Sequence, residues 1–393
     1  MSKFVPEGFL HAEGTKLVDG SGKEVRLHGV NLGGWFVPEN YMGVQSVGNF
    51  DTGVYTIERG VEAMKANPNL TDEQIEELYK IYMDNYITER DFERIQKAGL
   101  NLVRIPFTWR DLTTDGITLR ENAFHYIDWA LDMCEKYGFW AVLDLHGAIG
   151  SQNQDFHSGD DAHFDLYGNP ENRRKTIELW KIIADRYKDR TVVAGYDLLN
   201  ECRKAFGKFG GKINSEFYDE LYKAVREVDP NHLIIIEYFT FPIHGVGIKH
   251  FPHWKNVCVE YHIYNLAPVS QLNCLRGIRA MHLVSGNTKV PVYIGEFNAW
   301  TKVSDWSKTV DYFNKLGWSW SSWAYKANEK PYKYGPWKEE HAGRDWGLYV
   351  LNIDQVDLST ATFDEIAETY RATATENARK TYIGKFYEKK FGK

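Results

Sequence analysis

The chain has 393 residues, 43% hydrophobic and 26% charged, with 47 basic against 54 acidic side chains and a net charge of -7. That balance excludes disordered and fibrous classes and disfavours a nucleic-acid surface, and no run of about 18 apolar residues is available to span a membrane. Aromatics reach 15%, a density that can fill a core or meet flat partners such as sugar rings. Cys134, Cys202, Cys258 and Cys274 are widely spaced with no C-x-x-C pair, so reduced buried thiols are expected rather than a disulfide framework or zinc site. The start, Met-Ser-Lys-Phe-Val-Pro-Glu-Gly, carries no secretory pattern, and a cytoplasmic location is the expectation.

In chain order, Phe9–Val25 with Asp19-Gly20-Ser21-Gly22 at its centre reads as a hairpin. Eight candidate strands follow: Val25–Leu32, Leu100–Phe107, Trp140–His146, Val193–Asn200, His232–Phe239, Val257–Tyr264, Val290–Phe297 and Ser319–Tyr325. Several are near-continuous apolar runs, as parallel strands covered on both faces should be. Helical stripes alternate with them. Phe124, Ile127, Leu131 and Cys134 form one that stops at Gly138; Ile177, Trp180, Ala184 and Tyr187 form another; Phe217, Leu221, Ala224 and Val228 form a third. Thr71 to Gln74 and Thr88 to Asp91 read as capping-box starts. Eight strands interleaved with helices predict an α/β fold, a (β/α)8 TIM barrel forming one domain over residues 1–393. The hairpin would plug its bottom. A doubly wound sheet is the alternative, but no Gly-rich nucleotide loop follows the first strand. Two long connections, Pro38–Asn69 after strand one and Ala327–Thr360 after strand eight, are expected to wall the cleft.

Polar residues gather where the strands end, the face on which barrels build active sites. They include Arg104, His146, Asn200-Glu201, His262 and Tyr264, and Glu296. Each would cost a few kcal/mol if buried without partners. Two are carboxylates, Glu201 and Glu296, and a carboxyl pair across a barrel mouth suits glycosidic bond cleavage.

These residues resemble glycoside hydrolase family 5: Asn-Glu after strand four, His-x-Tyr after strand six, Glu after strand seven and Trp on strand eight. The resemblance runs from Phe9 to Trp346. His28-Gly-Val-Asn-Leu-Gly-Gly-Trp35, Tyr86-Ile-Thr-Glu-Arg-Asp-Phe92, Gly99-Leu-Asn-Leu-Val-Arg-Ile-Pro106 and Asp144-Leu-His-Gly-Ala-Ile-Gly-Ser-Gln-Asn153 are similar to the branch containing exo-β-1,3-glucanases. The resemblance implies a retaining mechanism with Glu296 as nucleophile and Glu201 as acid/base. Arg104 and Tyr264 would aim Glu296, Asn200 would hold the sugar 2-hydroxyl, and His146 and His262 would line the subsite. Trp323 would form its floor, with Trp35 and Trp346 as further stacking candidates. No metal or cofactor is implied. The implied activity is exo-acting removal of a terminal β-mannosyl or β-glucosyl residue from a short oligosaccharide, as in intracellular β-mannosidase-type subfamilies, with exo-β-1,3-glucanase or β-glucosidase as the alternative. A non-catalytic sugar-binding barrel is the alternative of another class. Cys202 departs from the family pattern, standing where many relatives carry Pro.

Three weaker signals remain. Asp155, His157, Asp160, Asp161, His163 and Asp165 form an acidic and His cluster whose spacing fits no metal motif. Glu237 and Glu260 read either as inward-facing subsite residues or as buried ion-pair partners. Trp320 is expected in the core, and the basic tail after Arg379 as a capping helix.

Overall fold

A computed structural model describes residues 4–39, 42–48, 55–202, 210–238, 248–264, 271–299, 303–330 and 346–392. The chain divides into two compact units. One holds residues 1–31, 101–153 and 163–322; the other holds 32–100, 154–162 and 323–393.

The first unit contains a closed, all-parallel barrel of eight strands. They are β1 (His28–Asn31), β2 (Leu102–Thr108), β3 (Trp140–Gly147), β4 (Val193–Asp197), β5 (Leu233–Glu237), β6 (Val257–Tyr264), β7 (Val292–Asn298) and β8 (Ser319–Ser322), each hydrogen-bonded to the next and β8 to β1. Almost every strand residue is buried, the expected state of a parallel sheet covered on both faces. The predicted hairpin is a three-stranded sheet, His11–Glu13, Lys16–Val18 and Glu24–Val25. Leu10 and Leu17 pack with Leu27, Leu102, Trp140, Val142, Ala194, Leu233, Ile235, Cys258 and Tyr293, closing the bottom of the barrel with apolar side chains. Val25 belongs to this plug and not to β1, because Arg26 and Leu27 break the pairing before the barrel strand begins.

Helices follow the predicted stripes. His125–Tyr137 ends at Gly138, whose φ of 86° is the left-handed cap a glycine tolerates. Pro170–Tyr187 starts with Pro at its first turn and buries Trp180 and Tyr187. Gly210–Val228, Gln271–Ser285 and Val303–Leu316 follow β4, β6 and β7. Between β5 and β6 the described residues show only the 3-10 turn Ile248–His250, and residues 239–247, including Phe239, lie outside the description.

Two strands stop three residues short of the sequence reading. β4 stops at Asp197, so Asn200 and Glu201 sit on the turn beyond it. β8 stops at Ser322, so strand alternation does not set the side on which Trp323 lies. Trp320 is fully buried, stacked on His28 with ring centroids 4.9 Å apart, as expected of a core residue.

The second unit holds helices Ile57–Ala66, Asp72–Tyr86, Glu89–Lys97, Phe363–Ala372 and Tyr382–Phe391. Thr71 and Gln74 form the predicted capping box, and the Asp91 carboxylate accepts the Thr88 backbone N–H at 2.7 Å. The two long connections are more than loops. Gln45–Ser46 pairs with Val356–Asp357, and Lys326–Asn328 pairs with Tyr349–Leu351. Residues 40–41, 49–54 and 331–345 of these connections lie outside the described residues. The tail is a helix with Ile383, Phe386 and Tyr387 buried and Lys385 and Lys389 exposed.

Candidate active site

At the C-terminal ends of the strands the inward-facing columns change character. On β6 they run Cys258, Glu260, His262, Tyr264; on β3, Val142, Asp144, His146; on β5, Ile235, Glu237. Arg104 on β2 is the hub. Its fully buried guanidinium donates to Glu296 Oε1 (2.8 Å), Asn31 Oδ1 (2.9 Å), Asn200 Oδ1 (2.9 Å) and Asp197 Oδ2 (3.0 Å from Nε, 2.7 Å from Nη2), with Asp144 Oδ2 at 3.1 Å. Arginine suits this position because its planar fork satisfies several acceptors at once. Burial opposes its charge, but Asp144, Asp197, Glu260 and Glu296 together hold its pKa well above the ordinary value.

Glu296 is gripped at both oxygens, by Arg104 and by the Tyr264 hydroxyl at 2.7 Å from Oε2. Two bulges aim the neighbouring groups. The β6–β7 pairing slips after Tyr261, so His262 lies opposite Glu296 and Gly295 is passed over. Gly295 has to be glycine: a Cβ there would sit 1.3 Å from Glu260 Oε1. Its carbonyl instead accepts from Asn31 Nδ2 (2.8 Å) and Ser321 Oγ (2.6 Å). The β2–β3 pairing slips likewise and passes over His146.

His262 is ringed by carboxyls. Nδ1 lies 2.8 Å from Glu201 Oε1, 3.4 Å from Glu296 Oε2 and 3.6 Å from Glu237 Oε1, while Nε2 lies 3.3 Å from Glu260 Oε1. Burial alone would lower its pKa, but Glu237, Glu296, Glu201 and Glu260 raise it well above 6.5. Both ring nitrogens thus face carboxyl oxygens. Burial pushes Asp144, Asp197 and Glu237 well above the carboxylate range, opposed by Arg104 at the first two and by His262 at Glu237. His146 Nδ1 lies 2.7 Å from Asp144 Oδ2, which leaves Nε2 facing Asn200 Nδ2 at 3.4 Å. With Oδ1 held by Arg104, the Asn200 amide turns its N–H2 donor end toward His146.

Glu201, His262 and Glu296 place one ligand atom each within 4.8 Å of one another. Among the described residues this is the group of three with metal-like spacing, yet both Glu296 oxygens already accept hydrogen bonds from Arg104 and Tyr264. An oxygen of Glu201 lies within 4.8 Å of an oxygen of Glu296, close enough for both carboxyls to reach one glycosidic bond.

The sequence profile of the cellulase family (glycosyl hydrolase family 5) matches residues 61–329, more than half of the chain. The chain belongs to glycosyl hydrolase family 5. It is 31% identical to a β-xylosidase of Phanerodontia chrysosporium over 265 residues, covering 66% of this chain and 52% of that protein. It is 28% identical to glucan 1,3-beta-glucosidase 2 of Wickerhamomyces anomalus over 294 residues, covering 72% and 66% respectively. The matches span about half the length of the first curated relatives. A rutinosidase structure from Aspergillus niger shares the fold with a TM-score of 0.61 at 16% identity, over 88% of this chain and 98% of that one. The chain thus carries a fold shared with structures of that kind, a (β/α)8 barrel.

Of the predicted site residues, Arg104, His146, Asn200, Glu201, His262, Tyr264 and Glu296 meet in this one hydrogen-bonded cluster. The three tryptophans lie in the second unit. Trp35 is buried, its indole N–H donating to Met83 O at 3.0 Å. Trp323 is buried against Gly33, where a Cβ would come within 2.9 Å of the ring. Trp346 is half-buried, and its carbonyl accepts the Ala324 N–H at 2.6 Å. Glu237 and Glu260 are buried partners inside the cluster rather than subsite residues. Cys202 is a buried thiol, its pKa pushed up to about 12 by burial. The acidic and His cluster is tied up locally: Asp161 pairs with Arg59 at 2.7 Å and Asp160 accepts the Ala162 N–H. Asn31, Asp144, Asp197, Gln152 and Asn153 were given no role in the sequence reading; their signal was a polar side chain at the end of a buried strand or just past it.

Proposed function

We propose that the enzyme is a retaining, exo-acting β-glycosidase that removes a terminal β-glucosyl residue from a short oligosaccharide. The observation that carries the mechanism is the separation of Glu201 and Glu296, with Glu296 gripped at both oxygens. Glu296 attacks the anomeric carbon while Glu201 gives its proton to the glycosidic oxygen, and the bond to the leaving sugar breaks. The Glu201 carboxylate left behind faces the His262 N–H at 2.8 Å, which stabilises the charge as it forms. Glu201 then takes a proton from water, which attacks the glycosyl-enzyme and releases Glu296. Asn200 is oriented to donate to the 2-hydroxyl. The exo-acting glucosyl reading draws support from the glucan 1,3-beta-glucosidases among the relatives.

A panel of nitrophenyl β-glycosides with laminaribiose and Man-β-1,4-GlcNAc tests the substrate, with a β-glucoside expected to lead. Preference for the β-mannosyl substrates would replace the glucosyl reading. Glu296→Gln should abolish turnover, and a small-residue variant at 296 should form a glycosyl azide of inverted anomeric configuration. Wild-type turnover in Glu296→Gln would refute the mechanism.

A further inference from the structure

The acid/base residue sits on an unusual backbone. Glu201 has φ of 45°, a left-handed conformation that costs a non-glycine residue about 1–3 kcal/mol unless its surroundings enforce it. β4 has already ended at Asp197, and beyond it the Asn200 N–H donates to Leu145 O of β3 at 3.2 Å. Side chains supply the further partners of this turn. From the end of β5, Glu237 Oε2 accepts the Glu201 backbone N–H at 2.5 Å. From the segment after β3, Gln152 Nε2 donates to the Asn200 carbonyl at 2.8 Å and Asn153 Nδ2 to the Glu201 carbonyl at 3.2 Å. Gln152 is itself fixed, donating to His146 O at 2.7 Å and accepting the Ala148 N–H at 3.1 Å. All three side chains are at least nine-tenths buried.

We infer that Glu237, with Gln152 and Asn153, is a positioning device for the acid/base: it clamps the backbone of Glu201 in the left-handed conformation that holds its carboxyl against His262 and opposite Glu296. The inference rests on the acid/base role of Glu201. Released from the clamp, the turn would relax to negative φ and swing the carboxyl away from the glycosidic oxygen. Glu237 is faced by His262 and Glu260 on β6, Asp197 on β4, Glu201, and Cys202, Tyr167 and Tyr218. Burial in that company raises its pKa, and a glutamine keeps its shape and one acceptor oxygen.

The test compares phenyl β-glucoside, whose poor leaving group needs the acid, with 2,4-dinitrophenyl β-glucoside, which does not. Glu237→Met removes the acceptor and should lower kcat/KM on the phenyl substrate by about 10²-fold, with less than about 10-fold loss on the activated one. Glu237→Gln keeps an acceptor oxygen and should restore the wild-type ratio. Asn153→Leu should move the ratio in the same direction by a smaller factor, and it decides the matter if Glu237→Met does not fold. Equal losses on both substrates, or none, in variants with native circular dichroism would overturn the positioning role. Glu201→Gln run alongside separates the two readings: if it hydrolyses the phenyl glucoside normally, the acid/base assignment fails, whatever Glu237 does.

Discussion

The two ends of the barrel are built from the same eight strands and nearly the same inward columns, yet they solve opposite problems. At the bottom, Leu102, Trp140, Val142, Leu233, Ile235 and Cys258 meet Leu10 and Leu17 of the plug and exclude water without any polar partner. One or two residues further along the same strands stand Arg104, Asp144, Glu237 and Glu260, equally buried and ionisable. The lower end lowers the free energy of the fold by removing apolar surface from water. The upper end spends desolvation energy to hold ionisable groups in fixed geometry, which is the preorganisation the proposed reaction needs. Stability is concentrated at one end and chemistry at the other.

Breaking the upper end should have the larger effect. Arg104→Met leaves Asp144, Asp197, Glu260 and Glu296 without their shared cation. It should cost about 3–5 kcal/mol in urea unfolding and abolish turnover together. A variant that lost activity at wild-type stability would show that Arg104 serves catalysis alone.

The lower end should break differently. Leu233→Ala removes a buried side chain from the apolar cluster and should cost about 2–5 kcal/mol, with kcat and KM of the folded protein unchanged. A changed kcat would mean that the two ends are mechanically coupled.

The smallest effect is a pH slope. Asp144, Asp197 and Glu237 have raised folded pKa values, as does His262, so the folded state binds protons more tightly than the unfolded chain. Their stabilisation is full below the unfolded pKa, 3.8 for the aspartates, 4.5 for Glu237 and 6.5 for His262, and is lost as pH rises through the folded values. The thermal midpoint should therefore fall as pH rises above neutrality, and less steeply in Asp197→Asn. Leu233→Ala should lower the midpoint equally at every pH. A midpoint that rises with pH in the wild type would contradict the proton-rich cluster.

Much of this division was legible in the chain. Apolar runs such as Leu-Ile-Ile-Ile marked the strands, and the polar residue ending each run marked the site, because burial on both faces leaves a parallel strand little other reason to carry one. Glu201 and Glu296, with Arg104, His146, Asn200, His262 and Tyr264, could be named as members of one cluster before any coordinates. Strand ends were less accurate: β4 and β8 stop three residues early because pairing, not hydrophobicity, decides where a ladder ends. The partners Asp144 and Asp197 were given no role. Each is an ordinary aspartate until closure of the barrel brings it to Arg104.

What the sequence determined by itself was therefore the periodicity, the eightfold count and the residue types at the strand tips, all properties of neighbours along the chain. What only the tertiary structure decided was how those tips share one guanidinium and one imidazole ring. It also decided that Glu201 is clamped at φ of 45° by side chains from β5 and from the segment after β3. One of those contacts, Arg104 to Glu296, joins residues 192 positions apart. Closing the sheet creates them, and no local pattern encodes the distance.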